Sequence, residues 1–290
     1  MTMIPLRVGM LTMQHPPWPR LVERWRTYEE LGFDSIWVCD HFTAARDDSP
    51  LFEAWTAIAG LATETTRVRL GTVVSCAAFR HPALLAKQAA TLDHVSNGRL
   101  EIGLGAGWWG EEHRRWGFPF PEPAERVARF RETVEIVDRL LRGSVTSYCG
   151  RSFVLRDAPH RPPPVQRPRP PLVLAAQGRR MLEIIAEYGD TWVASFGLSP
   201  TEIAERATIL GDVAAARGRS PQGIRRAFVW APWVDEFDPW SSVAAFEDFV
   251  GRYSAAGVTD FIFDEPEPEQ WSTLERVASE VLPQLRSGAT

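Results

Sequence analysis

An aspartate and a histidine, Asp40 and His41, stand together directly after the short apolar run of residues 35–39. A run of this length, partly β-branched and bounded by polar residues, predicts a strand that is covered on both faces, as in a parallel sheet. A carboxylate and an imidazole at the end of such a strand can exchange protons with a ligand. The simpler interpretation is that His41 caps a turn or bonds a buried partner.

Glycine-rich segments follow two other predicted strands, at residues 103–107 (Gly-Leu-Gly-Ala-Gly) and 175–178 (Ala-Ala-Gln-Gly). Glycine at a strand end lets a ligand approach backbone N–H groups, and a following helix N-terminus favours an anion such as phosphate. One such segment is equally well explained by a tight turn. Two of them on neighbouring strands favour a bound phosphate, and the adjacent pair Trp108 and Trp109 suits the wall of a flat ligand.

Motifs for a nucleophile or a metal of the protein's own are missing from the sequence. The cysteines Cys39, Cys76 and Cys149 are widely spaced and form no Cys-x-x-Cys pair. Neither a Gly-x-Ser-x-Gly elbow nor a Gly-x-x-x-x-Gly-Lys loop occurs, and no histidines and carboxylates show metal-ligand spacing. We therefore expect no metal site and a chemistry that depends on a bound cofactor.

The segments that position these residues alternate between short apolar strands and amphipathic helices. The predicted strands are 8–11, 35–39, 67–74, 100–104, 171–176, 190–195, 227–234 and 259–264. The predicted helices are 18–31, 50–63, 82–95, 123–141, 179–188, 201–217, 241–256 and 269–285. Eight such units predict an α/β fold, a (β/α)8 TIM barrel with its active site at the carboxyl ends of the strands. A doubly wound open sheet is the alternative.

The alternation is interrupted once, between the fourth and fifth strands. Residues 143–170 combine a hairpin pattern around Cys149 and Gly150 with a proline-rich segment that suits a stiff crossover. A connection this long is usually functional or covers a site. We expect residues 1–290 to form a single barrel domain that carries this insertion.

Bulk properties exclude several classes of partner. The 290 residues carry a formal charge of -5 and a pI near 5.8, which gives no global basic surface for nucleic acid. The N-terminus lacks the apolar core of a signal peptide, and no apolar run reaches the length of a membrane span. Together with the unpaired cysteines, this predicts a cytoplasmic protein that binds a small molecule.

Several segments together resemble the luciferase-like monooxygenase superfamily, and within it the branch that uses the deazaflavin coenzyme F420. The resemblance covers almost the whole chain. It rests on the segments 31–41, 71–74, 86–93, 96–108, 117–120, 164–168 and 188–192. Each segment alone is unspecific, but their combination in this order is specific.

The resemblance implies a flavin or deazaflavin lying across the barrel mouth. Its ring would contact a bulge at Val73 and Val74, which in relatives often holds a non-prolyl cis peptide bond, with Asp40 and His41 beside the reactive edge as the catalytic pair. The residues implied to bind the cofactor, mostly through backbone N–H groups at its phosphate, are Asp40, Val73, Val74, Gly105, Gly107, Trp108, Ala176, Gln177 and Gly178.

The pair Asp40-His41, in place of an asparagine-containing pattern, resembles the F420 branch more than the FMN branch. The acidic tail of F420 would explain arginines at the rim, and these are Arg46, Arg114, Arg115, Arg179 and Arg180. Relatives that oxidise a sugar phosphate carry a tryptophan and a glutamate where this chain has Ala45 and Trp108. This departure argues against glucose 6-phosphate and predicts a more apolar substrate pocket.

The predicted substrate pocket includes Ala45, Trp109 and Glu112, and the candidates for a proton donor are Glu111, Glu112 and His113. We expect an F420-dependent oxidoreductase that moves a hydride between the deazaflavin and an uncharged, hydrophobic organic substrate. A reduced-FMN monooxygenase of the same superfamily is the alternative. A cofactor-free hydrolase or isomerase and a catalytically silent flavin-binding protein are further alternatives. Relatives imply a homodimer through the helices 50–63 and 82–95.

Overall fold

The computed structural model describes residues 5–45, 47–143, 145–194 and 196–287. Its strands are β1 (Arg7–Leu11), β2 (Ser35–Val38), β3 (Arg69–Thr72), β4 (Ser75–Cys76), β5 (Leu100–Gly105), β6 (Val145–Cys149), β7 (Val154–Pro159), β8 (Leu172–Ala175), β9 (Thr191–Ala194), β10 (Arg225–Trp230) and β11 (Asp260–Asp264). Its α-helices are α1 (Trp18–Glu30), α2 (Ala54–Leu61), α3 (Pro82–Val95), α4 (Gly110–Trp116), α5 (Pro123–Arg142), α6 (Arg179–Tyr188), α7 (Pro200–Ala216), α8 (Val243–Ala255), α9 (Trp271–Arg276) and α10 (Leu282–Ser287). The predicted rim residue Arg46 and the predicted strand end Ser195 lie outside the described residues.

The main sheet is parallel throughout and closes on itself. Around the ring, β1 pairs with β2 and β11, β10 with β9 and β11, and β8 with β5 and β9. The pairing of β2 with β3 and of β3 with β5 completes the circle, and the short β4 continues the β3 line against β5. This closure confirms the predicted (β/α)8 barrel and excludes the open sheet.

Alternation along the strands separates two apolar layers. In β2, Ile36 and Val38 point outward into the core under the helices, whereas Trp37 points into the barrel. Two glycines make room for this indole, because a Cβ on Gly71 would lie 2.7 Å from its Cζ3 atom and one on Gly9 would lie 3.2 Å from Nε1. The residues that fill the barrel, called the inner cluster below, are Leu11, Trp37, Val173, Val193, Ala227, Val229 and Ile262.

Five of the twelve tryptophans lie in the core between the barrel and the outer helices. Trp25, Trp192 and Trp240 are completely buried there. Helix starts follow local signals, since α7 begins with a full capping box formed by Ser199 and Glu202. Within the described residues, no helix is both long and apolar enough to cross a bilayer.

The insertion between the fourth and fifth barrel strands is an antiparallel hairpin of β6 and β7, as predicted. The carboxylate of Glu132 in α5 accepts hydrogen bonds from the backbone N–H groups of Arg151, Ser152 and Phe153 in its turn, at 2.9–3.2 Å. Because one side chain bonds three consecutive N–H groups, the hairpin is held firmly against α5.

Ion pairs close the amino end of the barrel. Glu101 is almost fully buried there and accepts hydrogen bonds from Arg7, at 2.8 Å, and from Arg69. Burial alone would raise the pKa of Glu101, but the two guanidinium groups hold it below its ordinary value. Asp260 is bonded in the same way by Arg7 and, at 2.6 Å, by Arg225. Both carboxylates are therefore neutralised inside the fold.

Candidate active site

The floor of the mouth lies at the carboxyl ends of the strands. Val73, Val74, Ala175 and Phe196 are partly exposed and pack on the inner cluster. The Val73–Val74 peptide bond is cis, as the family resemblance implied. A Cβ on Gly105 would lie 2.6 Å from the Cγ2 atom of Val74, so a glycine is needed for this floor to form. The result is an apolar surface at the centre of the mouth.

His41 is held at the mouth by a carboxylate from a different element. Its Nδ1 atom lies 2.8 Å from Oε2 of Glu112, and Oε1 of the same carboxylate accepts the backbone N–H of Phe42 at 2.9 Å. Glu112 stands in the first turn of α4 and is only 2% exposed on its side chain, whereas the side chain of His41 is 21% exposed. The helix that follows the glycine-rich segment thus fixes the histidine that follows β2.

Two tryptophans surround the imidazole. The ring centroid of His41 lies 5.8 Å from those of both Trp108 and Trp109, with interplanar angles of 85° and 65°. Edge-to-face contacts of this kind orient a ring in addition to burying it. Trp108 is 56% exposed, so it forms a wall of the mouth and belongs to no core.

Asp40 points away from this pocket. Its carboxylate forms a two-pronged ion pair with Arg80, at 2.5 and 2.9 Å, and accepts the backbone N–H of Cys76 at 3.1 Å. A buried carboxylate with three donors is a fixed structural partner. Asp40 therefore holds the loops after β2 and β4 together, and no proton transfer is assigned to it.

Beneath the glycine-rich segment lies a buried thiol and imidazole pair. Nδ1 of His113 lies 2.9 Å from the carbonyl oxygen of Pro119 and must donate to it, which leaves Nε2 to accept the Cys76 thiol proton at 3.6 Å. Burial raises the pKa of the Cys76 thiol to about 12, and the Asp40 and Glu112 carboxylates act in the same direction. A Cβ on Gly107, which has φ +88°, would lie 3.0 Å from this sulfur. His113 is therefore structural and does not face the mouth.

An open helix terminus lies at the next strand. α6 starts after Gly178 without a side-chain cap, and a Cβ on Gly178 would have no atom within 4 Å. The N–H of Ala176 donates to the carbonyl of Val193 at 3.2 Å. Gln177 and Gly178 have no N–H partner in the described part of the chain. Of the three residues predicted to hold a phosphate here, these two can offer N–H groups to an anion.

The sequence of this chain matches a known protein family. The family model described as luciferase-like monooxygenase matches residues 1–276. The chain belongs to the luciferase-like monooxygenase family. Membership confirms the family predicted from the sequence and, with it, the prediction of an oxidoreductase.

Known proteins are similar to this chain over two thirds of its length or more. The chain is 28% identical to F420-dependent glucose-6-phosphate dehydrogenase of Amycolatopsis mediterranei, over 97% of its own length and 99% of that relative. It is 30% identical to phthiodiolone/phenolphthiodiolone dimycocerosates ketoreductase of Mycobacterium bovis, over 69% of its own length and 57% of that relative. Its fold matches an F420-dependent secondary alcohol dehydrogenase in complex with an F420-acetone adduct, with a TM-score of 0.86, 20% identity and coverage of 97% and 99%.

The rim arginines of this luciferase-like chain differ in their pairing. Arg114 and Arg115 bond Glu111, and Arg115 also bonds Asp48 at 2.8 Å. Arg179 has a looser contact of 3.7 Å with Glu183, and Arg180 is exposed. Glu111 is therefore committed to surface ion pairs, and the arginines least neutralised by carboxylates stand in the first turn of α6.

One aromatic part of the mouth was not predicted. Phe196 follows β9 and meets Trp233, from the loop after β10, at a centroid distance of 5.0 Å. Trp233 is 44% exposed, whereas a tryptophan among other apolar residues is usually in the core. The sixth and seventh barrel strands lie across the ring from β2 and β3, so this pair faces His41 over the mouth. Phe196 directly follows the predicted strand 190–195, so a sequence signal existed for it. Trp233 fell inside the predicted strand 227–234, which ends at Trp230 in the structure.

The structure thus brings some predicted residues together and separates others. His41, Trp108, Trp109 and Glu112 form one contacting group, with Glu112 buried behind the histidine. Ala45 is exposed on the loop after β2, and Arg80, which fixes Asp40, was missed. In the described ranges, no three histidine, cysteine or acidic residues are grouped so as to hold a metal ion.

Proposed function

We propose that this protein is an F420-dependent oxidoreductase that interconverts a carbinol and a carbonyl in an uncharged, apolar substrate by hydride transfer. The observation that carries the proposal is His41, oriented by Glu112, with one ring nitrogen left unbonded by described residues at a mouth walled by apolar side chains. Removal or delivery of a hydroxyl proton is the step that such an imidazole can perform.

The residues at the mouth fit a deazaflavin. The apolar floor of Val73 and Val74 suits one face of a tricyclic ring, and Gly105 leaves room for the Val74 side chain in this floor. The open helix terminus at Gln177 and Gly178 suits a phosphate, and Arg179 and Arg180 suit an acidic tail beyond it. F420, when bound, supplies or accepts the hydride at C5 of its ring.

Each protein group then has a definite task. His41 holds or accepts the hydroxyl proton of the substrate, while Trp108 and Trp109 exclude water and fix the imidazole plane. Exclusion of water strengthens every electrostatic interaction in the pocket. The ion pair of Asp40 and Arg80 holds the loop that carries His41 against the loop after β4.

The lining of the mouth supports an uncharged substrate. Phe196 and Trp233 supply an apolar wall, and Trp108 stands where sugar-phosphate relatives carry a glutamate. Arg114 and Arg115 are already paired with carboxylates. Two similar proteins are described as a secondary alcohol dehydrogenase and a ketoreductase, and both descriptions concern carbinol and carbonyl chemistry.

Because the family is described as luciferase-like monooxygenase, a monooxygenase that uses reduced FMN is the second candidate function. Titration of the purified protein with each cofactor separates the two functions. We expect F420 to bind at least about tenfold more tightly than FMN. Tighter binding of FMN, with oxygen consumption on reduction, would favour the monooxygenase.

A substrate panel completes the test. Secondary alcohols of increasing chain length should reduce F420 with rising kcat/KM, because each buried methylene contributes about 0.8 kcal/mol of transfer free energy. Glucose 6-phosphate serves as the charged control and should give no F420 reduction. F420 reduction by glucose 6-phosphate but by none of the apolar alcohols would contradict the proposed substrate class.

We also propose a homodimer through α2 and α3. Two apolar side chains of α3, Leu84 and Val95, are exposed on the isolated chain, at the surface implied by relatives. Light scattering should give twice the mass of one chain, and Leu84→Glu should shift it toward one chain. A wild-type mass of a single chain at micromolar concentration would refute the dimer.

A further inference from the structure

We infer that Glu112 is a positioning residue that fixes His41 as the Nδ1–H tautomer, so that Nε2 is the atom that accepts the substrate proton. The catalytic consequence of this tautomer rests on the proposed function. The tautomer itself is a property of the protein alone and can be measured without cofactor or substrate.

The hydrogen-bond geometry carries the inference. The backbone N–H of Phe42 can only donate, so Oε1 of Glu112 is an acceptor, and an ionised carboxylate accepts at Oε2 as well. Nδ1 of His41, 2.8 Å from Oε2, must therefore carry the proton. The tautomer of an imidazole is set by the bond that the other nitrogen makes, which leaves Nε2 as the basic atom.

Only a carboxylate can make both bonds. A glutamine at position 112 would present one acceptor and one donor, so either the Phe42 N–H or the His41 Nδ1–H would face an N–H group. The side chain is 2% exposed, so a lost partner would not readily be replaced by water. The first turn of α4 also favours a negative charge at this point.

The contact with His41 gives Glu112 a positioning role, whereas the sequence alone made it a candidate proton donor. Both oxygens of Glu112 are engaged, and the carboxylate is buried behind the imidazole. It therefore acts through His41 and does not reach the mouth. Because α4 follows the glycine-rich segment directly, the contact also ties the predicted cofactor loop to the histidine.

Imidazole nitrogen-15 spectra of the labelled, cofactor-free protein test the tautomer. The variant His41→Gln identifies the signals of His41 among the six histidines. In the wild type, at a pH where the ring is neutral, we expect Nδ1 to have the protonated shift and Nε2 the unprotonated shift. In Glu112→Gln, the pattern should change toward the opposite tautomer or a mixture of both.

Glu111→Gln is the matched control, because it removes the same charge from the same helical turn at an exposed side chain paired with Arg114 and Arg115. It should leave the His41 spectrum unchanged. An Nε2–H tautomer in the wild type, or an unchanged His41 spectrum in Glu112→Gln, would overturn the inference.

Kinetics test the consequence. For Glu112→Gln we expect kcat to fall at least about 10- to 100-fold, the range found for partners that orient metal-binding histidines, with the F420 Kd changed less than about threefold. Glu111→Gln should keep the wild-type kcat. A wild-type kcat in Glu112→Gln would overturn the positioning role. If the wild type reduces no F420 with any alcohol, the proposed function fails, while the spectra still decide the tautomer.

Discussion

The two ends of the barrel use charge in opposite ways. At the amino end, Glu101 and Asp260 are each bonded by arginines, and the buried charges are balanced within the protein. At the mouth, one nitrogen of His41 is bonded by Glu112, the other has no partner among the described residues, and two tryptophans flank the ring. Balanced charge at one end stabilises the fold, and an unsatisfied basic nitrogen at the other end is available for chemistry.

The pKa values of two glutamates, Glu101 and Glu265, also differ between the two ends of the barrel. The arginines lower the pKa of Glu101 at the amino end. Just beyond the carboxyl end of β11, burial raises the pKa of Glu265 to about 7, with the Asp264 carboxylate adding to the effect and Arg24 and the Tyr28 hydroxyl opposing it. The pKa values of buried Glu101 and half-buried Glu265 therefore shift in opposite directions at opposite ends of one barrel.

The largest expected effect is at the mouth. His41→Ala should lower kcat about 10²- to 10⁴-fold, the usual contribution of a general acid or base. The free energy of unfolding should change by less than about 1 kcal/mol, because the side chain is partly exposed. Stopped-flow reduction of F420 and urea unfolding measure the two quantities. A kcat within about twofold of wild type would remove His41 from the mechanism.

The converse result is expected at the amino end. Glu101→Ala leaves Arg7 and Arg69 facing one another without their carboxylate, which should destabilise the fold by about 3–5 kcal/mol. The kcat per folded molecule should stay near the wild-type value. Urea unfolding and activity on the same samples provide the check. A stable but inactive variant would show that the two ends are not independent.

The pH dependence of stability should distinguish the two glutamates. Between pH 4.5 and about 7, folded Glu265 keeps a proton that the unfolded chain releases, so its stabilising contribution is lost as pH rises. The difference in unfolding free energy between wild type and Glu265→Gln should fall by about 1–3 kcal/mol over this interval. Glu101 has the opposite sign, and its contribution is lost as pH falls below about 4.5.

Chemical denaturation at several pH values tests this prediction. Subtracting the Glu265→Gln curve from the wild-type curve isolates the titration of Glu265, because all other groups are shared. A difference that stays constant from pH 4.5 to 7 would mean that Glu265 is ionised in the folded protein throughout this range.

The smallest effect is expected at the rim. Replacement of both Arg179 and Arg180 by alanine should raise the F420 Kd about 3- to 10-fold and leave the FMN Kd within about twofold, since exposed ion pairs contribute little each. The control replaces Arg139 and Arg142, which form similar pairs in the last turn of α5 at the other end of the barrel. Equal losses for the two cofactors would sink the acidic-tail explanation.

The fold was largely predictable from the sequence because its signals are local. Short apolar runs that alternate with segments of helical periodicity are enough to predict a (β/α)8 barrel. The hairpin was predictable from the turn residues around Cys149 and Gly150. The errors also have local causes. The predicted strand 67–74 is interrupted at Val73 and Val74, and the short helix α4 lacks the apolar periodicity that identifies longer helices.

The site was only partly predictable because its decisive contacts join distant segments. The bond between His41 and Glu112 spans 71 positions, and the ion pair between Asp40 and Arg80 spans 40. No local pattern gives the partner of a charged side chain. The exposed position of Trp233 was missed for a similar reason, since composition favours the core for a tryptophan near other apolar residues.

We expect hydride transfer with F420 to take place at the mouth and not at the charged end, with His41 taking the proton. The most direct test is transfer of deuterium from a secondary alcohol labelled at its carbinol carbon, followed by mass and NMR analysis of the reduced cofactor. We expect one deuterium at C5 of F420 in the wild type and in the folded fraction of Glu101→Ala, and a much slower transfer in His41→Ala. An alcohol oxidised without label in the cofactor, or label transferred at the wild-type rate in His41→Ala, would contradict this expectation.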